Sequence, residues 1–208
     1  MKVLLINGSP NEKGCTYTAL CEVAGELNRA GVDTQIFHVG KQPIRGCIGC
    51  GGCARAGRGR CVFGDDRVNE ALALAEEADG FVFGSPVHYA AASGMATSFL
   101  DRFFYAGRGF ARKPGAAVVS CRRGGASAAF DQLNKYFTIS QMPIVSSQYW
   151  NMVHGNTPEE VKQDLEGLQT LRTLGRNMAW LLRCIEAGRA AGVPEPEQEP
   201  KLRTNFIR

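Results

Sequence analysis

Short apolar runs that stop at a glycine turn alternate along this chain with segments of helical period, and that alternation leaves few folds open. Val3–Asn7 is a solid apolar run ending at Gly8, as expected of a strand buried on both faces of a parallel sheet. Thr16–Ala30 then has helical period, with Gly31 placed to close it. Thr34–Val39 reads as the second strand. Asp65 and Asp66 open a helix running to Ala78, Gly80–Gly84 is the third strand and Ser93–Tyr105 the third helix. Ala116–Ser120 and Pro143–Tyr149 are predicted as strands four and five, on either side of a helix over Ala126–Phe137. Thr157-Pro158-Glu159-Glu160 offers an N-cap followed by proline, which predicts one long helix to about Ala187. Five strands alternating with helices predict an α/β, doubly wound sandwich around a five-stranded parallel sheet.

No repeat or linker breaks this series, so residues 1–192 are expected to form one domain. The 208 residues, 44% hydrophobic and 21% charged, suffice for one buried core. Residues 193–208 read as a tail, either frayed or an arm clasping a second subunit, the latter on account of Phe206 and Ile207 at its tip. The net charge of +4 is scattered, with local excess at Arg45, Arg55, Arg58 and Arg60 and again at Arg122 and Arg123. That pattern suits small anions or an acidic protein and not a nucleic-acid track. No segment approaches the ~18 apolar residues of a membrane span. The first apolar run is too short for a signal peptide. With eight cysteines, the expectation is a cytoplasmic protein with reduced thiols.

Ligands of doubly wound folds sit off the carboxyl ends of the strands. The first such loop is Gly8-Ser9-Pro10-Asn11-Glu12-Lys13-Gly14-Cys15-Thr16-Tyr17-Thr18. Glycine, hydroxyls and a helix start together make an anion site. Cys15 occupies the place a nucleotide-hydrolysing loop gives to lysine. His38 and Val39 stand where a dinucleotide fold wants an acid. What remains is a loop suited to a phosphate monoester, FMN being the best candidate, or a plain glycine turn with a threonine cap.

Strand three ends in Gly84-Ser85-Pro86-Val87-His88-Tyr89, followed by SGMATSFLDR. With GSPNEKGCT and the cysteine loop running into Asp65-Asp66, the chain resembles the flavodoxin-like NAD(P)H-dependent FMN reductases, including the iron–sulfur flavoproteins. The resemblance spans nearly the whole chain and implies a flavodoxin-like sheet of order 2-1-3-4-5. It implies that Ser9, Thr16, Tyr17 and Thr18 hold the FMN phosphate, with Cys15 among them at the helix start. It also implies that Pro86, Val87, His88 and Tyr89 wrap the isoalloxazine ring. Relatives more often carry an aromatic residue where His88 stands, so His88 is either a proton donor, and then the one catalytic candidate, or a loop residue without a task.

Ser120-Cys121-Arg122-Arg123-Gly124-Gly125 follows strand four. Amides at a helix start and a guanidinium there would stabilise the anionic end of a reduced flavin, which places Arg122, Arg123 and Gly124 in the cofactor set. Arg122 or Arg123 could instead hold a nicotinamide phosphate or solvate a turn. Tyr149 and Trp150 line a pocket or partner interface, or are ordinary packing.

Cys47, Cys50, Cys53 and Cys61 stand in RGCIGCGGCARAGRGRC, spaced C-x2-C-x2-C-x7-C. Thiolates so spaced are the ligands of iron–sulfur clusters, and the four nearby arginines would offset their charge. In iron–sulfur flavoproteins such a quartet carries a four-iron four-sulfur cluster. Clusterless relatives keep similar loops, so a structural flap stays open beside it, and zinc is a third choice. Cys15, Cys21, Cys121 and Cys184 read as small packing side chains.

The resulting expectation is an FMN-dependent oxidoreductase. NAD(P)H would reduce bound FMN, which would pass electrons to a small acceptor such as free flavin or a quinone. The alternative is an iron–sulfur flavoprotein relaying electrons between redox proteins. Relatives complete the flavin pocket with a second subunit, which implies a homodimer or homotetramer, with no nucleic-acid or membrane partner.

Overall fold

In the computed structural model, which describes residues 1–200, 202 and 204, the most apolar runs occupy the middle of the sheet. β1 (Lys2–Asn7), β3 (Gly80–His88) and β5 (Gly115–Cys121) lie side by side. β2 (Asp33–His38) flanks β1, and β6 (Met152–His154) flanks β5. The order β2-β1-β3-β5-β6 is parallel throughout. It is the order implied by the family resemblance, once the two-residue β4 (Ala91–Ala92), antiparallel to the end of β3, is set aside.

Alternate side chains of each central strand enter opposite layers, the two-residue period of a pleated strand. Leu4, Ile6, Phe81 and Phe83 pack with α3 (Val68–Glu76), α4 (Gly94–Ala106) and α5 (Ala126–Ile139). Val3, Leu5, Val82 and Val118 pack with α1 (Cys15–Arg29) and α7 (Leu165–Ala190). The first layer is aromatic, with Phe83 between 5.4 and 5.6 Å of Phe103, Phe104 and Phe137 by ring centroids.

Three expectations are corrected. The fifth strand does not occupy Pro143–Tyr149: there a single bridge joins Gly115 to Ile144, and the strand proper is Met152–His154 against Val119–Cys121. Asn151, buried, fills the break in the ladder. Its Nδ2 donates to the Ala117 carbonyl (3.1 Å), and its backbone carbonyl accepts from Val119 N–H (2.9 Å). The predicted long helix is two helices, α6 (Pro158–Val161) and α7, because Asp164 provides a second N-cap by accepting from Gly167 N–H at 2.9 Å. The cysteine loop contains a one-turn helix, α2 (Gly52–Arg55).

Residues 193–196 lie along α7, where Glu195 pairs with Arg112. Phe206 and Ile207, the apolar tip of the expected arm, lie outside the described residues. Among the described residues no helix is long and apolar enough to cross a membrane.

Candidate functional site

The loops after β1, β3 and β5 meet at one edge because their strands are neighbours. Gly8 N–H donates to the Gly84 carbonyl (2.9 Å), and the Ser93 hydroxyl donates to the Gly8 carbonyl (3.1 Å). A β-carbon on Gly8 would stand 2.7 Å from that of Ala96, so only glycine fits between the phosphate loop and α4. At the start of α1 the first amide with an intrahelical acceptor is that of Thr18, bonded to Gly14 O at 3.0 Å. The amides of Cys15, Thr16 and Tyr17 are thus first-turn donors without a helical partner. Gly14 supplies no side-chain cap, and the first turn contains no acid.

The hydroxyls of this loop are held by hydrogen bonds within the protein. Thr16 Oγ1 is hydrogen-bonded to Ser120 Oγ (2.8 Å), Thr18 Oγ1 donates to the Gly14 carbonyl (3.2 Å), and Ser9 Oγ accepts from Asn11 N–H (3.1 Å). The anion-binding capacity of the loop therefore lies in its first-turn amides together with the Ser9 O–H, whose hydrogen that bond does not use. Burial pushes the Cys15 thiol up despite a backbone hydrogen bond that lowers it, which keeps the thiol uncharged beside an anion. The Tyr17 phenol is raised by its hydrogen bond with Cys21.

At the end of β3 the chain makes a hairpin absent from the sequence reading. Val87 pairs with Ala92 and His88 with Ala91, leaving Tyr89 (φ +51°) and Ala90 (φ +59°) as a two-residue turn. Two successive residues in the left-handed region make a primed turn, which normally recruits asparagine and glycine. Here a tyrosine and an alanine hold it, at a cost of about 1–3 kcal/mol each. The turn leaves Tyr89 fully exposed and His88 exposed, with Pro86 and Val87 half-buried beneath.

Gly125 (φ +88°) backs this turn so closely that a β-carbon on it would stand 2.5 Å from Ala90 Cα. It also begins α5 without a side-chain cap. Arg122, Arg123 and Gly124, all exposed, precede it. Burial raises the Cys121 thiol, against a hydrogen bond from the Arg123 backbone. The structure thus brings the expected phosphate and ring residues to one edge.

The cysteine loop follows β2 and is expected on that account to open on the same edge; it runs instead along α4, against Arg102, Tyr105 and Ala106. Cys53 Sγ donates to the Tyr105 carbonyl (3.6 Å), and Arg102 Nε donates to Cys61 Sγ (3.4 Å). All four cysteines line one shallow recess with Phe63, Arg102 and Tyr105, whose enclosed volume is about 20 Å³. Cys53 and Cys61 are buried and Cys47 and Cys50 exposed. The recess adjoins Ala106 at the far end of α4, about 20 Å along that helix from Ser93 at ~1.5 Å per residue. Among the described residues no group of three or more Cys, His, Asp or Glu stands close enough to hold a single metal ion.

Three of the four arginines expected to offset thiolate charge, Arg45, Arg55 and Arg58, make other contacts. Arg45 lies 4.5 Å over the Phe63 ring, Arg55 donates to the Cys50 carbonyl (3.0 Å) and Arg58 to the Tyr105 carbonyl. The guanidinium that reaches a thiol is Arg102, 1% exposed, which also donates to the carbonyls of Arg45 (3.3 Å) and Phe63 (2.9 Å) and pairs with Asp66. It joins both ends of the loop. Its place in the FLDR segment was visible in sequence, but its partners were not. Tyr149 and Trp150 are both more than half exposed, their rings in T-shaped contact at 4.7 Å, so they are not core packing.

The family described as NADPH-dependent FMN reductase matches residues 1–157. An iron-sulfur flavoprotein of Methanocaldococcus jannaschii is 32% identical over 195 residues, covering 89% of this chain and 100% of that protein. The solved structure of RosB with its bound intermediate 8-demethyl-8-formylriboflavin-5'-phosphate superposes with a TM-score of 0.68 at 16% identity, over 100% of this chain and 92% of the other. A flavodoxin, WrbA-like protein from Agrobacterium tumefaciens gives 0.60 at 14% identity, over 88% and 97%. These two likenesses establish a shared flavodoxin-like fold.

Proposed function

The chain belongs to the NADPH-dependent FMN reductase family and is an FMN-dependent oxidoreductase, and on that premise we propose how its residues carry the reaction. The uncapped amides of Cys15, Thr16 and Tyr17 bind the FMN phosphate, in a first turn free of acids that would repel it. This is the observation that carries the reading. Ser9 shapes the loop, while Thr16 and Thr18 fix the helix start through Ser120 and Gly14.

Pro86, Val87, His88 and Tyr89 form the wall for the flavin ring, held by the strained turn. The uncapped start of α5, with Arg122, Arg123 and Gly124, lies beside it and stabilises negative charge at the pyrimidine end. Held by these residues, FMN would supply hydride and two-electron chemistry, with NAD(P)H as the donor and a small molecule such as free flavin or a quinone as the acceptor. The protein's part is to orient the ring and exclude water. Because the Tyr89 turn stands fully exposed, a second subunit of a homodimer or homotetramer covers it.

A second reading is favoured by the shared recess of Cys47, Cys50, Cys53 and Cys61. Tetrahedral zinc would need its thiolates roughly 4 Å apart, given Zn–S bonds of ~2.3 Å. A four-iron four-sulfur cluster spreads its four ligands more widely, and these cysteines would be the ones to hold it, with Arg102 donating to the Cys61 sulfur. The protein would then relay electrons between redox partners. Anaerobic purification with a visible spectrum, an iron assay and NADH and NADPH titrations separates the two. Flavin bands bleached rapidly by a nicotinamide, without iron, leave the reductase alone. A broad shoulder with about four irons per chain supports the cluster, and absence of bound FMN defeats both.

A further inference from the structure

His38 ends β2 level with Asn7, at the position where a dinucleotide fold would carry an acid. Its ring reaches the phosphate loop instead: Nε2 lies 2.8 Å from the Ser9 carbonyl oxygen. A carbonyl only accepts, so Nε2 carries the hydrogen. The His38 carbonyl in turn accepts from Arg67, whose guanidinium lies 4.3 Å over the Phe37 ring and donates to both carboxylate oxygens of Glu70 (2.9 and 2.7 Å). His38 is therefore anchored through its ring to the phosphate loop and through its carbonyl to the start of α3.

Each polar heavy atom of Ser9 has a partner. Its N–H donates to Asn7 Oδ1 (3.1 Å), its hydroxyl accepts from Asn11 N–H (3.1 Å), and its carbonyl accepts from His38. Pro10, next in the chain, fixes φ but has no amide hydrogen, so the hydrogen bond from His38 is what ties this part of the loop to the end of β2. Without that tie the loop could shift as a unit, and the first-turn amides would lose their placement around a phosphate. We propose that His38 is a positioning residue of the phosphate loop, and that by holding the Ser9 carbonyl it gives this protein its preference for a flavin phosphate monoester over the unphosphorylated flavin. The proposal rests on the reading of the loop as the FMN phosphate site.

The test compares FMN and riboflavin binding to the full chain freed of flavin, by fluorescence titration. His38→Leu keeps bulk and removes the donor; His38→Asn keeps an amide too short to reach; His38→Gln places an amide N–H close to the position of Nε2. The expected result is a roughly tenfold loss of FMN affinity in the Leu and Asn variants with riboflavin affinity unchanged, and near-normal FMN affinity in the Gln variant. Equal weakening of both ligands, or an unchanged FMN preference in the Leu and Asn variants, overturns the proposal. A wild-type chain that binds FMN no better than riboflavin overturns the phosphate-site reading itself, and the role of His38 with it. If the Leu variant does not fold, the Asn and Gln pair decides the matter alone.

Discussion

Arg102 and Asp66 form an ion pair with side chains 1% and 4% exposed, joining the middle of α4 to the turn before α3. Asp66 also accepts from Val68 N–H (3.1 Å), so it caps α3 while neutralising the guanidinium. Removing one partner leaves the other charged and out of water. Arg102→Met is therefore expected to lower stability by about 3–5 kcal/mol, measured by urea unfolding. Adding Asp66→Leu should recover a large part of the loss. A double variant no more stable than the single one would show that loop clamping, not charge balance, is the larger contribution.

The turn at Tyr89 and Ala90 predicts a variant that gains stability. Ala90→Gly relieves a left-handed residue at little steric cost and should add about 1 kcal/mol. Ala90→Val, branched at the β-carbon, should do the opposite. Thermal melts of the three proteins check the order Gly above Ala above Val; a Gly variant below wild type would mean the turn is not strained.

Asn151→Leu leaves the Ala117 carbonyl without its donor in a buried break of the sheet. A loss of about 1–3 kcal/mol is expected. Amide exchange should quicken at Val119 and its neighbours in β5 while β1 keeps its protection, and uniform quickening across the sheet would contradict this local account.

Glu26, buried between α1 and α7, accepts from Arg29 (2.6 Å) and from Arg176 (3.1 and 3.3 Å). Burial alone would raise its carboxyl, but the hydrogen bonds from Arg176 and Arg29 outweigh it and hold the group below its ordinary value. A carboxyl lowered in the folded state contributes stability above its unfolded pKa and loses it as pH falls through the folded value. Both arginines are mostly exposed, so the contribution is about 1 kcal/mol or less. Glu26→Gln should flatten the fall in stability between pH 5 and pH 3 that wild type shows. Parallel curves would remove Glu26 from the acid response.

Much of this was legible in the sequence where both faces of a strand are apolar. β1, β3 and β5 announce themselves by composition, and the glycines at 8, 84 and 125 mark where loops meet. The Tyr89-Ala90 turn carried no signal because neither residue normally adopts that backbone. The last strand escaped because β6 has only three residues, too few for a period, while the nearby Gln148-Tyr149-Trp150 run imitates one. Arg102 stands 36 residues from Asp66 and 41 from Cys61, beyond any spacing rule. The engagement of Thr16 with Ser120 spans 104 residues, and only the fold makes it visible.

The break that Asn151 closes has a further consequence for how this chain behaves in company. β5 is followed by an edge whose pairing stops after Ile144 and resumes at Met152, with a side-chain amide occupying the gap. A row of free donors and acceptors long enough to recruit another strand never forms on that side. Of the two ends of the sheet, this is therefore the one that a second strand cannot lengthen, and the six-residue β2 is the other.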